Sequence, residues 1–266
     1  MYLVIGVSKG SIGDIVATEL LKSGEQVVCV HAPWENPALT TAMEVSARAH
    51  FLSVNLNETR MMPGDLVDRV LRIGAQTLGS PRLKGVAYCA GYNRMAPVRE
   101  LDNELWEQTL WLNMGAVVQV VQELLAAKDD GRLQIFSQDP LRFVILGSNT
   151  AYVARRNSAA YAASKAGVVH LSKSLDRELA HEGLRFTTVD PGTVMATAMT
   201  EQTLQQMVQL GLAEDEAAAR DLLLKNVPGN TPTYPWDVAR VVAFVLTHNL
   251  PFGGNSIRMD AGQQQG

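Results

Sequence analysis

The feature that most constrains this chain is an alternation. Short runs rich in Val, Ile and Leu recur at 2–6, 26–31, 51–54, 85–89, 142–147, 185–189 and 255–259. Most lack the apolar/polar alternation of a strand with one wet face, so they suit strands buried on both faces. Helical patterns lie between them, near 12–23, 37–47, 63–78, 102–128, 158–182 and 236–248. Strand–helix repetition of this kind predicts an α/β protein with a parallel sheet and helices on both faces. Right-handed crossovers then make the sheet doubly wound. The 266 residues hold no repeat and no low-complexity linker, so 1–266 reads as a single domain.

Composition narrows the function classes. The net charge is −4 and no basic run occurs, which points away from nucleic acid. The two cysteines, Cys29 and Cys89, sit inside apolar runs and read as buried, reduced thiols. The five histidines are scattered without ligand spacing, so no metal is expected. No apolar run approaches the roughly 18 residues that span a bilayer, so no membrane partner is expected. The chain opens as a strand rather than a signal peptide, and the expected location is the cytoplasm. Two segments break the rhythm. Residues 129–141 form a polar excursion, and 193–234 hold a Met-rich helical stretch that reads either as a lid over a lipophilic substrate or as a helix packed on the body.

Chemistry concentrates at three places. The first strand runs into Gly6, Val7, Ser8, Lys9, Gly10, Ser11, Ile12 and Gly13, ahead of a helix. Glycines there let the backbone turn sharply, and the free amides of the helix start face a pyrophosphate. The second strand ends at His31, where a carboxylate would hold the ribose hydroxyls of NAD; none is present, and Lys9 offers a positive charge instead. His31 and Trp34 are candidates to flank the adenosine, or are simply surface residues. Further on, Tyr161 and Lys165 stand at i and i+4 on one helix face. A neighbouring ammonium lowers a phenol's pKa, and bringing it from about 10 to about 7 takes roughly 4 kcal/mol. Ser148 ends the preceding strand, where a hydroxyl can hold a substrate carbonyl. Asn113 is a polar amide inside an apolar helix and needs partners; an ordered water near Lys165 is one candidate.

In order and spacing these marks resemble the short-chain dehydrogenase/reductase family over nearly the whole chain. Added to them are Cys89-Ala90-Gly91, Pro191-Gly192, and a closing stretch from Gly253-Gly254-Asn255 to Asp260-Ala261-Gly262. The resemblance implies an extended Rossmann fold with seven parallel strands, and an NAD(P)-dependent enzyme acting on a small carbonyl or alcohol. By it, Tyr161 is the general acid/base and Lys165 binds the nicotinamide ribose and lowers the tyrosine pKa. Ser148 orients the substrate oxygen, and Asn113 holds a water in the proton relay. Gly6, Ser8, Lys9, Gly10, Ile12 and Gly13 hold the phosphates; His31, Asn55 and Leu56 the adenosine; Ala90, Gly91, Pro191, Gly192 and Val194 the nicotinamide half. A homodimer or homotetramer is also implied, with surplus apolar surface at Trp106, Leu110 and Val117 and at Ala162, Ala166, Gly167 and Val169.

The chain departs from the family's pattern in places. The glycine loop has an extra residue, Ser11, between Gly10 and Ile12, or else a shifted first glycine; Cys89 stands for an asparagine, Asn55 for an aspartate, and Ala196 precedes a displaced Thr197. NADP is expected to be favoured over NAD, because the end of the second strand lacks a carboxylate and Lys9 is near; Glu35 and the absence of an arginine at position 32 weigh against it. Two alternatives stand beside redox catalysis: an isomerase or dehydratase on the same fold, and a nucleotide-sensing binding protein. Tyr92, Asn93, Arg94, Met95, Tyr152, Arg155 and Arg156 should rim the substrate pocket. An arginine among them either holds a carboxylate or phosphate or is a solvated surface group.

Overall fold

The computed structural model describes residues 1–34, 47–58, 65–78, 82–225 and 227–263. Seven strands form one sheet: β1 (Tyr2–Ile5), β2 (Val27–His31), β3 (Ala49–Ser53), β4 (Gly85–Tyr88), β5 (Leu141–Leu146), β6 (Leu184–Pro191) and β7 (Asn255–Met259). Their order is β3-β2-β1-β4-β5-β6-β7, and every pairing is parallel. The chain builds outward from β1 to β3, then returns to lay β4 on the other side of β1. That reversal opens a crevice beyond the carboxyl ends of β1 and β4, where a doubly wound sheet binds ligands.

Helices cover both faces because the central strands are apolar on both. One layer holds α1 (Ile12–Lys22) and α8 (Pro235–Thr247), with Val16, Leu20, Val238 and Val242 packed on Val4, Ala87 and Val144. The other holds α2 (Leu66–Leu78), α4 (Ala116–Asp129) and α5 (Ala159–Leu179), with Val70, Val120, Leu124 and Val168 on Leu3, Val86 and Phe143. The core strands β1, β4 and β5 are buried at every residue. β3 begins at Ala49, two residues ahead of the expected run, because this edge strand is only half-buried and its polar His50 breaks the apolar signal. The helical pattern at 37–47 lies almost wholly outside the described residues, as does Glu35.

The expected helix at 102–128 is interrupted. After α3 (Asn103–Leu110) the chain makes a π-turn at Trp111–Gly115 before α4. The Trp111 indole lies so close over Gly115 that a Cβ there would come within 2.5 Å of the ring, and its Nε1 donates to the Leu56 carbonyl at 2.8 Å. Contrary to expectation, this run (Asn103–Asp129, 27 residues) contains an 18-residue stretch of mean hydropathy 1.3, so by length and composition it is long and apolar enough to cross a membrane. Val117, Val120, Val121 and Leu124 of this run belong to the core cluster, as a core helix's apolar face does. That packing also corrects the expected surplus surface. Val117 and Val169 belong to the core, and Gly167 lies beneath the Met114 sulfur, leaving Trp106, Leu110, Ala162 and Ala166 less covered.

The segment after β6 forms two helices, α6 (Ala198–Gln209) and α7 (Glu216–Leu224), which share a small core of Leu204, Met207 and Ala219. Its base is tied down where Met195 donates to Thr233 at 2.9 Å and Thr233 to Thr193 at 3.3 Å. The displaced Thr197 caps α6, accepting from the Thr200 amide at 3.1 Å, while Ala196 takes a left-handed φ of 58°.

Candidate active site

A cavity of about 750 Å³ follows the carboxyl edge of the sheet from the β1 loop to the lid helices. That size is ordinary for a ligand pocket. At one end stands the glycine loop. Gly6 has a φ of 89°, and a Cβ on it would lie 2.3 Å from the Ala90 amide nitrogen, so both the turn and the close approach of β1 and β4 require glycine. Ser11 is the N-cap of α1: its hydroxyl accepts from the Asp14 and Ser8 amides, each at 3.1 Å. The buried Asp14 carboxylate in turn accepts from the Gly10 amide at 2.8 Å. These bonds organise the loop and leave the first-turn amide of Ile12, which lines the cavity, available to an anion. Ser8, Lys9 and Ile12 line the cavity, whereas Gly10 and Gly13 shape the loop behind it.

His31, Trp34, Asn55 and Leu56 line the same end. His31 keeps its ring on the Ala32 carbonyl at 2.9 Å, and Asn55 spends its Oδ1 on the Asn57 amide at 3.1 Å. Ala90, Gly91, Pro191, Gly192 and Val194 line the middle. With no carboxylate among its described lining residues, this wall fits a polyanionic dinucleotide.

At the other end Ser148, Tyr161 and Lys165 meet. Ser148, at the mouth of β5, accepts from the Thr150 amide at 3.2 Å and the Thr150 hydroxyl at 2.9 Å. Its own proton is thereby left for the Tyr161 oxygen, whose pKa it acts to lower. The pKa of Tyr161 departs from expectation. Burial is the largest influence and raises it, while the Ser148 bond and the Arg155 charge oppose that rise. Lys165 lies over the ring face, 5.6 Å from its centroid, and the net shift of the phenol is upward instead of the expected lowering.

Lys165 is buried and donates to the Leu146 carbonyl at 2.6 Å. Burial lowers its pKa to about 8, against the raising influence of Asp190 and Cys89. Asp190 was not anticipated from sequence. It is fully buried at the end of β6; its Oδ2 accepts from the Tyr152 hydroxyl at 2.6 Å and from Ser256, and its Oδ1 has no hydrogen-bond partner among the described residues. A Cβ on Gly147 would lie 1.8 Å from that Oδ1, so glycine is what admits the carboxylate behind Lys165. The folded pKa of Lys165 lies below the unfolded value of 10.5, so stability increases with pH between about 8 and 10.5. Below pH 8 the buried ammonium costs about 3 kcal/mol. Lys165→Met is expected to be more stable than wild type at pH 7 by about 2 kcal/mol, allowing about 1 for the orphaned Leu146 carbonyl. The gap should narrow as pH approaches 10. Urea midpoints at both pH values check this, and a gap independent of pH would refute it.

Asn113 does not reach the cavity wall. Its Oδ1 accepts from the Tyr92 amide at 2.7 Å, and its Nδ2 donates to the Tyr92 carbonyl and to Ser164, each at 2.9 Å. Both amide donors are therefore spent on clamping the β4 loop to α5, and the expected water-holding role finds no free side-chain donor. Of the expected rim, Tyr92, Asn93, Met95, Arg155 and Arg156 line the cavity, while Arg94 and Tyr152 do not. Gln263 was also missed: it reaches the wall from the C-terminal tail and accepts from Asn149 at 2.7 Å. No local pattern marks it, since only the tail's return path brings it there. Among the described residues no cluster of three or more His, Cys, Asp or Glu could hold a metal.

A doubly wound parallel sheet with a ligand cavity along its carboxyl edge is the architecture of a dinucleotide-binding α/β protein. Residues 1–208 match the family model described as short chain dehydrogenase. The chain belongs to the short-chain dehydrogenase/reductase family and is an oxidoreductase of that class. It is 29% identical over 251 residues to the vibriobactin-specific 2,3-dihydro-2,3-dihydroxybenzoate dehydrogenase of Vibrio cholerae, covering 93% of this chain and 88% of the relative. It is 25% identical to the 3-oxoacyl-[acyl-carrier-protein] reductase FabG of Escherichia coli, covering 98% and 95%. Among solved structures it resembles the NADP-bound angucycline C-6 ketoreductase LanV, with a TM-score of 0.80, 22% identity and coverage of 100% and 95%. A short-chain dehydrogenase family protein from Francisella tularensis gives a TM-score of 0.79 at 24% identity, covering 100% and 98%.

Proposed function

We propose that this protein interconverts a ketone and a secondary alcohol, using NADP(H) in preference to NAD(H), with Tyr161 as the general acid/base. The observation that carries the reading is the convergence of Ser148, Tyr161 and Lys165 at one end of the cavity. A nicotinamide dinucleotide bound along the wall supplies or accepts the hydride. In the reductive direction Tyr161 gives its proton to the substrate oxygen, which Ser148 holds in place. A phenol whose pKa is raised keeps that proton at neutral pH, as a donor must. The buried Lys165 ammonium, fixed by the Leu146 carbonyl, stabilises the tyrosinate that remains. The segment 193–234 serves as the substrate lid, since Met199, Thr203, Met207 and Leu223 border the cavity. Nicotinamide absorbance followed over a panel of ketones tests the reading, and no oxidation of NADPH with any of them would sink it.

Lys9 is exposed on the cavity rim beside the phosphate loop, and the end of β2 offers no carboxylate to repel a ribose phosphate. A charge-assisted hydrogen bond contributes roughly 10- to 150-fold in affinity. Lys9→Ala is therefore expected to weaken NADPH binding by that factor with little change for NADH, measured as kcat/KM and by fluorescence titration. Equal or better use of NADH by wild type would refute the preference. Trp106, 38% exposed, with Leu110, Ala162 and Ala166 supports a homodimer or homotetramer built on α3 and α5. Light scattering at micromolar concentration is expected to show no monomer.

A further inference from the structure

The cavity wall carries Lys9, Arg155, Arg156 and Lys165, and no aspartate or glutamate among its described residues. Two of these cations have evident duties. Lys9 stands beside the phosphate loop, and Lys165 is bound to the Leu146 carbonyl. Arg155 has none: it is half-buried, lines the cavity and has no hydrogen-bond or ion-pair partner among the described residues. Removing a guanidinium from water without a partner is unfavourable, and burial here disfavours its charged form. Arg155 lies in the loop that leads into α5, ahead of Tyr161, and its charge acts on the Tyr161 phenol. The wall it shares includes Val153, Met199 and Met207, which suit an apolar substrate body.

We propose that the substrate is an oxo or hydroxy acid whose carboxylate pairs with Arg155 while Ser148 and Tyr161 hold the reacting oxygen. The inference rests on the reading of Tyr161 as the proton donor. A guanidinium binds carboxylate or phosphate through two parallel hydrogen bonds. Arg156, the neighbouring cation on the wall, is exposed to water, so a single half-buried guanidinium faces the substrate and balances one negative charge, which favours the carboxylate over a dianionic phosphate. The pairing completes the hydrogen bonding of Arg155 and orients the substrate at a second point, so that one face of the carbonyl is presented.

The test uses the full chain. With saturating NADP⁺, calorimetry compares cyclohexanecarboxylate, cyclohexanecarboxamide and cyclohexyl phosphate. In parallel, NADPH oxidation compares 3-oxocyclohexanecarboxylate with its methyl ester. The carboxylate is expected to bind roughly 10- to 150-fold more tightly than the amide, with a similar ratio between acid and ester in kcat/KM. Arg155→Gln should collapse both ratios toward one and Arg155→Lys restore part of them, while Arg94→Gln, outside the cavity, should leave them unchanged. Tighter binding of the phosphate overturns the assignment to carboxylates. An ester reduced as well as the acid overturns this inference and leaves the reductase reading standing. Tight, Arg155-dependent carboxylate binding without turnover of either ketone supports the inference and counts against that reading.

Discussion

Tyr161→Phe is expected to lower kcat/KM at least roughly 10²- to 10⁴-fold while leaving the fold and NADPH binding in place. The substitution removes one hydroxyl and keeps the ring that lies under Lys165. Ser148 keeps both bonds from Thr150, so its buried hydroxyl is not stranded without a partner. The stability change should stay within about 1 kcal/mol. A phenylalanine variant that folds, binds NADPH and turns over within threefold of wild type would remove Tyr161 from the chemistry. Loss of folding is excluded by comparing urea midpoints, so the two causes of inactivity are separable.

Gly6→Ala is expected to be the most damaging small substitution in the phosphate loop. Its φ of 89° puts an L-residue in a left-handed conformation, at about 1–2 kcal/mol. Its Cβ would lie 2.3 Å from the Ala90 nitrogen and 2.5 Å from the Ala90 Cα, so β1 and β4 must separate where they enclose the cavity. Overpacking of this kind adds about 1–3 kcal/mol, a large part of a typical stability of about 5–15. Gly10→Ala is the control. It has a φ of 74° but nothing within 4 Å of an added Cβ, so only the conformational cost applies. Denaturation midpoints should rank wild type, Gly10→Ala, Gly6→Ala in falling order. Equal losses would show that the close approach at Ala90 contributes nothing.

The parallel sheet was legible because its central strands are apolar on both faces, and a run such as residues 2–5 or 141–146 has few other ways to be buried. The edge strand β3 was less clear for the opposite reason, as its half-wet faces admit His50. The π-turn at Trp111–Gly115 carried no periodic signal, since it follows from a tryptophan folding over a glycine and reaching Leu56. The same holds for the split of the 193–234 segment into two helices around their own small core. At the site, the i, i+4 relation of Tyr161 and Lys165 is local and was visible, whereas the electrostatics between them was not. The lysine lies over the ring, and Arg155 and Ser148 are the groups that act against the raised phenol pKa.

By itself the sequence determined the class of fold, the glycine turn after β1 and the helix face shared by Tyr161 and Lys165, all of which depend on spacing within one element or on the order of elements. Only the tertiary structure decided which groups meet across elements. Asp190 at the end of β6 comes to lie behind Lys165 of α5 because Gly147 of the neighbouring chain segment leaves it room. Asn113 turns to Tyr92 and Ser164 instead of the cavity, and Arg155 is left half-buried near Tyr161 with no hydrogen-bond or ion-pair partner among the described residues. These are consequences of packing between segments distant in the chain. Burial and charge act through space, and a linear pattern carries the residue types without the distances that set their strength.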